Sequence, residues 1–417
     1  YDAITWKEIA SGNNSWNLAG NAGTDTSINF IGTTDANDLV FKTNNIQRMA
    51  LRQNGTINLT AVDFNTIIGD SAGAYNTGQW NHFIGYHAGI SNTTGNGNTA
   101  LGASALYGNN TGNANTAFGM NSLANNVNGD SNTVVGINAL SAGIYVKFNT
   151  VIGASAGINN TGWWSTLIGI NAGRLNQAGG SVFIGSAAGM KNSTGYYNTF
   201  TGDNSGRENT TGVGNTFYGR YSGSLSNGDN NSFFGRSAGF FNTSGENNVF
   251  IGALAGAYNT TGVYNTAVGS NSLYSKTTGS YNTAIGGYAL HNDTSGYYNT
   301  AVGEGAIYSN TTGYSNTAVG YAALISNTTS FDNVAIGDSA LLNSTGSFNT
   351  AVGTKSLVYL YNGSRNIALG YNSGNDPGSP NVINTISIGN EGILNAASNQ
   401  AFFGNLSTLW NGGNKTW

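Results

Sequence analysis

Asn265-Thr266-Ala267-Val268-Gly269, followed by Ser272-Leu273 and then Thr277-Thr278-Gly279, is one turn of a pattern that fills most of the chain. The motif returns as Asn282-Thr283-Ala284-Ile285-Gly286 and as Asn299-Thr300-Ala301-Val302-Gly303. Its glycine anchors a register that runs from Gly69 and Gly85, through Gly269 and Gly286, to Gly389 and Gly404, with 21 anchors and 20 intervals. The 335 residues from Gly69 to Gly404 divided by 20 intervals give a mean period of 16.75. A short fixed period of this kind means stacked identical units, not a globule.

The coil can be read residue by residue. Asn265 to Gly269 is short and partly β-branched, so it reads as a strand. Ser272-Leu273 reads as a second extended piece, and Thr277-Thr278-Gly279 as a turn in which glycine supplies a positive φ. Asn92-Thr93-Thr94-Gly95, Asn192-Ser193-Thr194-Gly195 and Asn310-Thr311-Thr312-Gly313 fill the same slot. Pieces this short cannot cover the cost of helix nucleation. The expected fold is all-β, a parallel β-solenoid (β-roll) of about 21 coils of ~17 residues. At ~4.8 Å per coil the shaft would be roughly 100 Å long. The shaft is expected over residues 63–404, with a small β attachment or cap region at 1–62 and a terminal cap or exit segment at 405–417. Asp38 to Leu59 reads as a hairpin-like pair turning at Gln53-Asn54-Gly55.

Composition agrees. Only 8% of the 417 residues are charged, against about 25% in ordinary globular proteins. With 39% hydrophobic residues and little charge, the chain lacks the signature of disorder. A net charge of −4 and no basic stripe exclude nucleic acid as the expected partner. No apolar run approaches the ~18–20 residues that span a bilayer, so direct membrane insertion is not expected. Tyr1-Asp2-Ala3 does not begin a signal peptide, so any leader is expected to be removed or to lie outside this sequence. The absence of cysteine means no disulfides, which neither requires nor excludes secretion.

Two columns of the repeat compensate in volume. Two residues before the anchor the side chain is small or bulky; four residues after it stands Leu/Ile or Gly. Ala100 goes with Leu106, Ala267 with Leu273 and Ala301 with Ile307, whereas Phe83 goes with Gly89, Leu167 with Gly173 and Phe250 with Gly256. By this count 17 of 21 coils obey, Val134 and Val151 are intermediate, Ala368/Gly374 breaks the rule, and Phe402/Thr408 is ambiguous. Near-crystalline packing of interiors makes such compensation the mark of one shared pocket. The column just before the anchor is also apolar (Ile84, Leu101, Ile152, Ile251, Ile285, Val319), although strand side chains alternate. A strand apolar on both faces is buried on both. The sequence leaves open which column faces inward, but one coil can bury only one. Lateral association of several chains follows.

Asn282 to Leu290, an Asn-Thr-Ala-Ile-Gly-x-x-Ala-Leu motif, resembles the head repeat of YadA-like trimeric autotransporter adhesins. That family's head is a left-handed parallel β-roll that forms trimers; the coil here is longer, and no coiled-coil stalk follows within these residues. Trp16-Asn17-Leu18-Ala19-Gly20-Asn21-Ala22-Gly23 and Asp38 to Asn45 resemble N-terminal segments of fibre-like surface proteins of Bacteroidota and their phages. The tail, from Asn384 to Gly389 and from Ala401 to Trp417, resembles what precedes an endosialidase-type intramolecular chaperone, which trimerises a fibre and then cuts itself off. The resemblance implies a homotrimer and a mature fibre released from such a chaperone.

No spacing suggests a Ser/His/Asp set, a phosphate loop or a paired-carboxylate cleft, so neither a catalytic nor a cofactor-binding residue is assigned and an enzyme is not expected. No metal site is assigned either. Of the three histidines, His82 replaces the usual threonine of the strand, and a trimer would bring three copies to the axis; otherwise it is a tolerated substitution. Asp203 and Asp229 do not belong to the calcium-binding nonapeptide repeat of other β-rolls. Aromatic residues carry the ligand reading: Trp80, Phe148, Trp164, Tyr197, Tyr264, Tyr281, Tyr298 and Phe348 recur in one column, with doublets at Trp163-Trp164 and Tyr196-Tyr197. They either stack on sugar rings of a surface glycan or stack on one another from coil to coil. The threonine column (Thr99, Thr116, Thr266) invites an ice-binding reading, weakened by sharing its face with the apolar column. The expectation is a structural, adhesive extracellular fibre of a cell surface or virion tail, acting through many repeated weak sites. The alternatives are a glycan-binding receptor-recognition fibre of a phage tail or injection apparatus, or an ice-binding solenoid.

Overall fold

The computed structural model describes residues 36–59, 63–374, 377–389 and 397–403. These residues form strands, turns and bends without helix, in two compact units dividing between Thr66 and Ile67. The Trp16–Gly23 flank, Gly404 and the 405–417 segment lie outside the described residues.

The first unit is an antiparallel meander of β1 (Leu39–Thr43), β2 (Ile46–Leu51) and β3 (Ile57–Leu59). The turn at Asn54-Gly55 is present, with Gly55 at φ 81° and its N–H donating to Arg52 O at 2.8 Å. One strand more than expected precedes it. Asn44 and Asn45, at φ 48° and 54°, form the primed turn that suits a two-residue hairpin.

The second unit is the solenoid. Its 21 three-residue strands, β4 (Thr66–Ile68) to β24 (Ala401–Phe403), follow one another along the chain, and neighbours pair in parallel. Thr266 N–H donates to Asn282 O of the next coil at 2.8 Å, and Gly269 N–H to Ile251 O of the previous coil at 2.8 Å. The parallel β-solenoid expected from the period is the fold observed.

Each coil has one strand, not two. Ser272-Leu273 is a turn, and Leu273 is held at φ 49°. Four positions per coil take a positive φ: in this coil Tyr264 (56°), Gly269 (135°), Asn271 (56°) and Leu273. A non-glycine residue in that region costs about 1–2 kcal/mol, and inter-coil hydrogen bonds such as Leu273 N–H to Ala289 O at 3.0 Å offset it. The anchor is glycine for two reasons: φ is near 130° throughout, and a Cβ on Gly269 would lie 2.5 Å from Gly286 O. The turn glycine is a correction. Gly95 and Gly313 do not take a positive φ; they are glycine because a Cβ would lie 2.4 Å from Gly112 O or 2.5 Å from Ser330 O, carbonyls of the next coil.

The strand centre faces inward. Phe83, Ala100, Leu167, Phe250 and Ala267 are fully buried, as are Leu106, Leu273 and Ile307 across the coil. The shared pocket is literal: a Cβ on Gly89 would lie 2.7 Å from Phe83 Cε1, and one on Gly173 2.6 Å from Leu167 Cδ2. From Phe183 to Phe250 five phenyl rings stack in the interior with centroids 5.0, 4.7, 4.8 and 4.8 Å apart. That spacing is the strand spacing itself. Near Ala368/Gly374, the coil that breaks the volume rule, the buried core adds Leu360 and Val382.

Two buried asparagine ladders close the coil. Before each strand, Asn265 Oδ1 accepts the N–H of Asn282 at 3.0 Å, while its Nδ2 donates to Gly279 O at 3.0 Å. The second ladder runs through the turns, where Asn310 Nδ2 donates to Gly313 O at 3.0 Å. An amide fits both columns because each needs a donor and an acceptor on one short side chain. Asn92, Asn192 and Asn310 are fully buried, so these sequon asparagines are turn residues, as the sequence indicated.

Candidate functional site

With the strand centre inside, its two flanking residues face out. The outward column before the anchor stays half exposed: Ile84 36%, Leu101 46%, Ile251 41%. The threonine column shares this face, and His82 sits in it. The result is an apolar stripe along the solenoid, interrupted at Thr201 and Tyr218. Among the described residues no group of three or more His, Cys, Asp or Glu is placed to hold a metal ion, and no helix is long and apolar enough to cross a membrane.

The corner before the strand carries the predicted aromatics, and all are exposed. Tyr264, Tyr281 and Tyr298 stack face to face at 5.2 and 5.0 Å. Phe148 and Trp164 are parallel within 3° at 6.2 Å, and Trp163 stands edge-on to Trp164 at 81°. Tyr196 and Tyr197 form a perpendicular pair at 5.0 Å. Trp80 is on the same column four coils before Phe148. The predicted residues are therefore one column but not one site.

Two groups were not anticipated. Past the inner turn, stacked rings run from Phe241 to Tyr258 at 4.8 Å and from Tyr274 through His291 to Tyr308 at 5.0 Å per step. They are visible in the sequence once the register is extended to the columns five and six residues after the anchor. His87 likewise lies against Tyr86 at 3.7 Å.

The other group is charged and fully buried. Lys276 and Asp293 occupy consecutive coils of the turn ladder, where asparagine stands elsewhere, and form an ion pair there. Lys276 Nζ also donates to Gly296 O at 2.7 Å, and Asp293 Oδ1 accepts from Asn310 Nδ2 at 2.8 Å and Gly296 N–H at 3.0 Å. Burial pushes the lysine down and the carboxyl up, each opposed by its partner. Because Lys276 turns to Asp293, Asn259 Oδ1 is left without a partner.

Set against known protein families, curated proteins and solved structures, the chain matches none. The site must be judged on its geometry: an apolar stripe, exposed aromatic corners and one buried ion pair.

Proposed function

We propose that this chain is the shaft of a non-catalytic, extracellular adhesive fibre in which three copies pack their outward strand faces around a common axis. The observation that carries the reading is the stripe. Half-exposed Ile, Leu, Val and Phe side chains fill the outward face from coil to coil, interrupted at Thr201 and Tyr218, and extend beyond the few hundred Å² of contiguous apolar surface that a monomer exposes. The motif resemblance to trimeric adhesin heads supplies the number three. Adhesion then works by repetition, since three parallel chains present the same corners many times and weak contacts add as avidity.

Light scattering tests the assembly against the 43.0 kDa of one chain. A mass of three chains is expected. A monomer would overturn the fibre and leave the outward Thr/Ile face to a ligand or to ice.

A further inference from the structure

We infer that Trp164, Gly180 and Tyr197 form a slot that binds one pyranose ring of a surface glycan; the inference rests on the adhesive half of the reading above. In the column of exposed corners, aromatic residues of consecutive coils stack on one another. Tyr281 is sandwiched between Tyr264 and Tyr298, at 11° and 21°, and offers only its edge. Trp164 differs. Phe148 lies parallel to one face, slipped, with centroids 6.2 Å apart at 3°, and on the other side the next coil has Gly180, with no side chain. Trp164 is accordingly 62% exposed.

The far wall is one coil further on. The strand Val182–Ile184, which follows Gly180, pairs with Thr166–Ile168 on one side and Thr199–Thr201 on the other, so one coil separates the two aromatic doublets. Tyr197, 69% exposed, leans into that gap: a Cβ on Gly180 would lie 2.8 Å from its Cδ1. Two coil rises of ~4.8 Å put ~9.6 Å between the doublets. A ring held at about 3.5–4.0 Å from each wall needs about 7–8 Å, and the lean of Tyr197 over Gly180 narrows the gap toward that width.

The walls are fixed and chemically suited. Trp163 packs edge-on against Trp164 and donates its indole N–H to Tyr145 O at 3.0 Å, while Tyr196 braces Tyr197 at 87°. A sugar ring presents polarised C–H groups along its faces, and the negative face of an aromatic ring attracts them. The tyrosine hydroxyls add hydrogen-bonding groups at the rim. The slot is one coil wide and lies on the corner, outside the three-residue strand, which fits a single ring and not a second copy of the chain.

Saturation-transfer NMR on the full chain, with methyl pyranosides of glucose, galactose, mannose and N-acetylglucosamine as probes, tests this. Transfer to ring C–H protons of at least one is expected. Trp164→Ala and Tyr197→Ala should each weaken binding roughly tenfold or more, Trp164→Phe should retain part of it, and Tyr281→Ala should leave it unchanged. No transfer to any of the four, or transfer indifferent to both alanine substitutions in folded protein, would overturn the slot. The solution mass of the same samples separates the readings: a trimer without transfer removes the slot and keeps the fibre, and a monomer with transfer does the reverse.

Discussion

The residue that most departs from its surroundings is Lys276. A charge in a repeat reads as a solvated face, and only the register, which sets Lys276 and Asp293 in a column of asparagines, reveals that both are enclosed. Removing one partner strands a buried charge, so Lys276→Asn or Asp293→Asn alone should cost about 3–5 kcal/mol. The double substitution, which lets amides run unbroken from Asn259 to Asn310, should be at least as stable as the native protein. Thermal denaturation followed by circular dichroism would decide; a double variant as weak as either single one sinks the ladder argument. The single variants should also respond oppositely to pH. With Asp293→Asn, the buried lysine is held down, the unfolded chain binds the extra proton, and stability rises with pH toward the unfolded lysine value of about 10.4. With Lys276→Asn, the buried carboxyl is held up, the folded chain binds the extra proton, and stability rises as pH falls toward about 3.9.

At the scale of the coil, volume compensation between strand centre and turn was legible because it is a relation between columns and needs no coordinates. Phe217 stacks between Phe200 and Phe233 at 4.7 and 4.8 Å, and a Cβ on Gly223 would lie 2.5 Å from its Cδ2. Phe217→Ala should therefore cost about 3–5 kcal/mol. Adding Gly223→Leu, which reproduces the Ala267/Leu273 pairing, should recover part of it through a coupling of about 0.5–3 kcal/mol. Equal denaturation midpoints for the single and double variants would show that the two positions do not share a pocket. The second strand was misread for a local reason: Leu273 is apolar, yet its backbone is left-handed, a state that sequence propensity does not assign to leucine. The turn glycine was misread because its constraint comes from the neighbouring coil, 17 residues away, as at Gly95 against Gly112. The aromatic column was legible as a column. Its division into stacked ladders and a gap at Gly180 was not, since that depends on the glycine lying between two doublets.

For the whole solenoid, the stripe carries the assembly prediction. Ile251→Glu with Ile285→Glu places two charges per chain on the outward face without touching the buried strand centre. Such a variant should keep its strand spectrum and fall to the mass of one chain, because unpaired charges buried at an axis are costly; a variant that stays trimeric would place the interface elsewhere. The inter-coil hydrogen bonds also fix how the shaft yields to pulling. They join successive coils in sequence, so tension between the ends of the solenoid loads the rungs directly and frees the chain one coil at a time. A freed coil of about 17 residues at ~3.3–3.6 Å each replaces a rise of ~4.8 Å with a strand of some 55–60 Å. Force spectroscopy should show evenly spaced ruptures of roughly 50 Å, and a single catastrophic release would contradict it. In the proposed fibre, such a shaft would let a tethered particle pay out line under load and stay attached by the coils that remain.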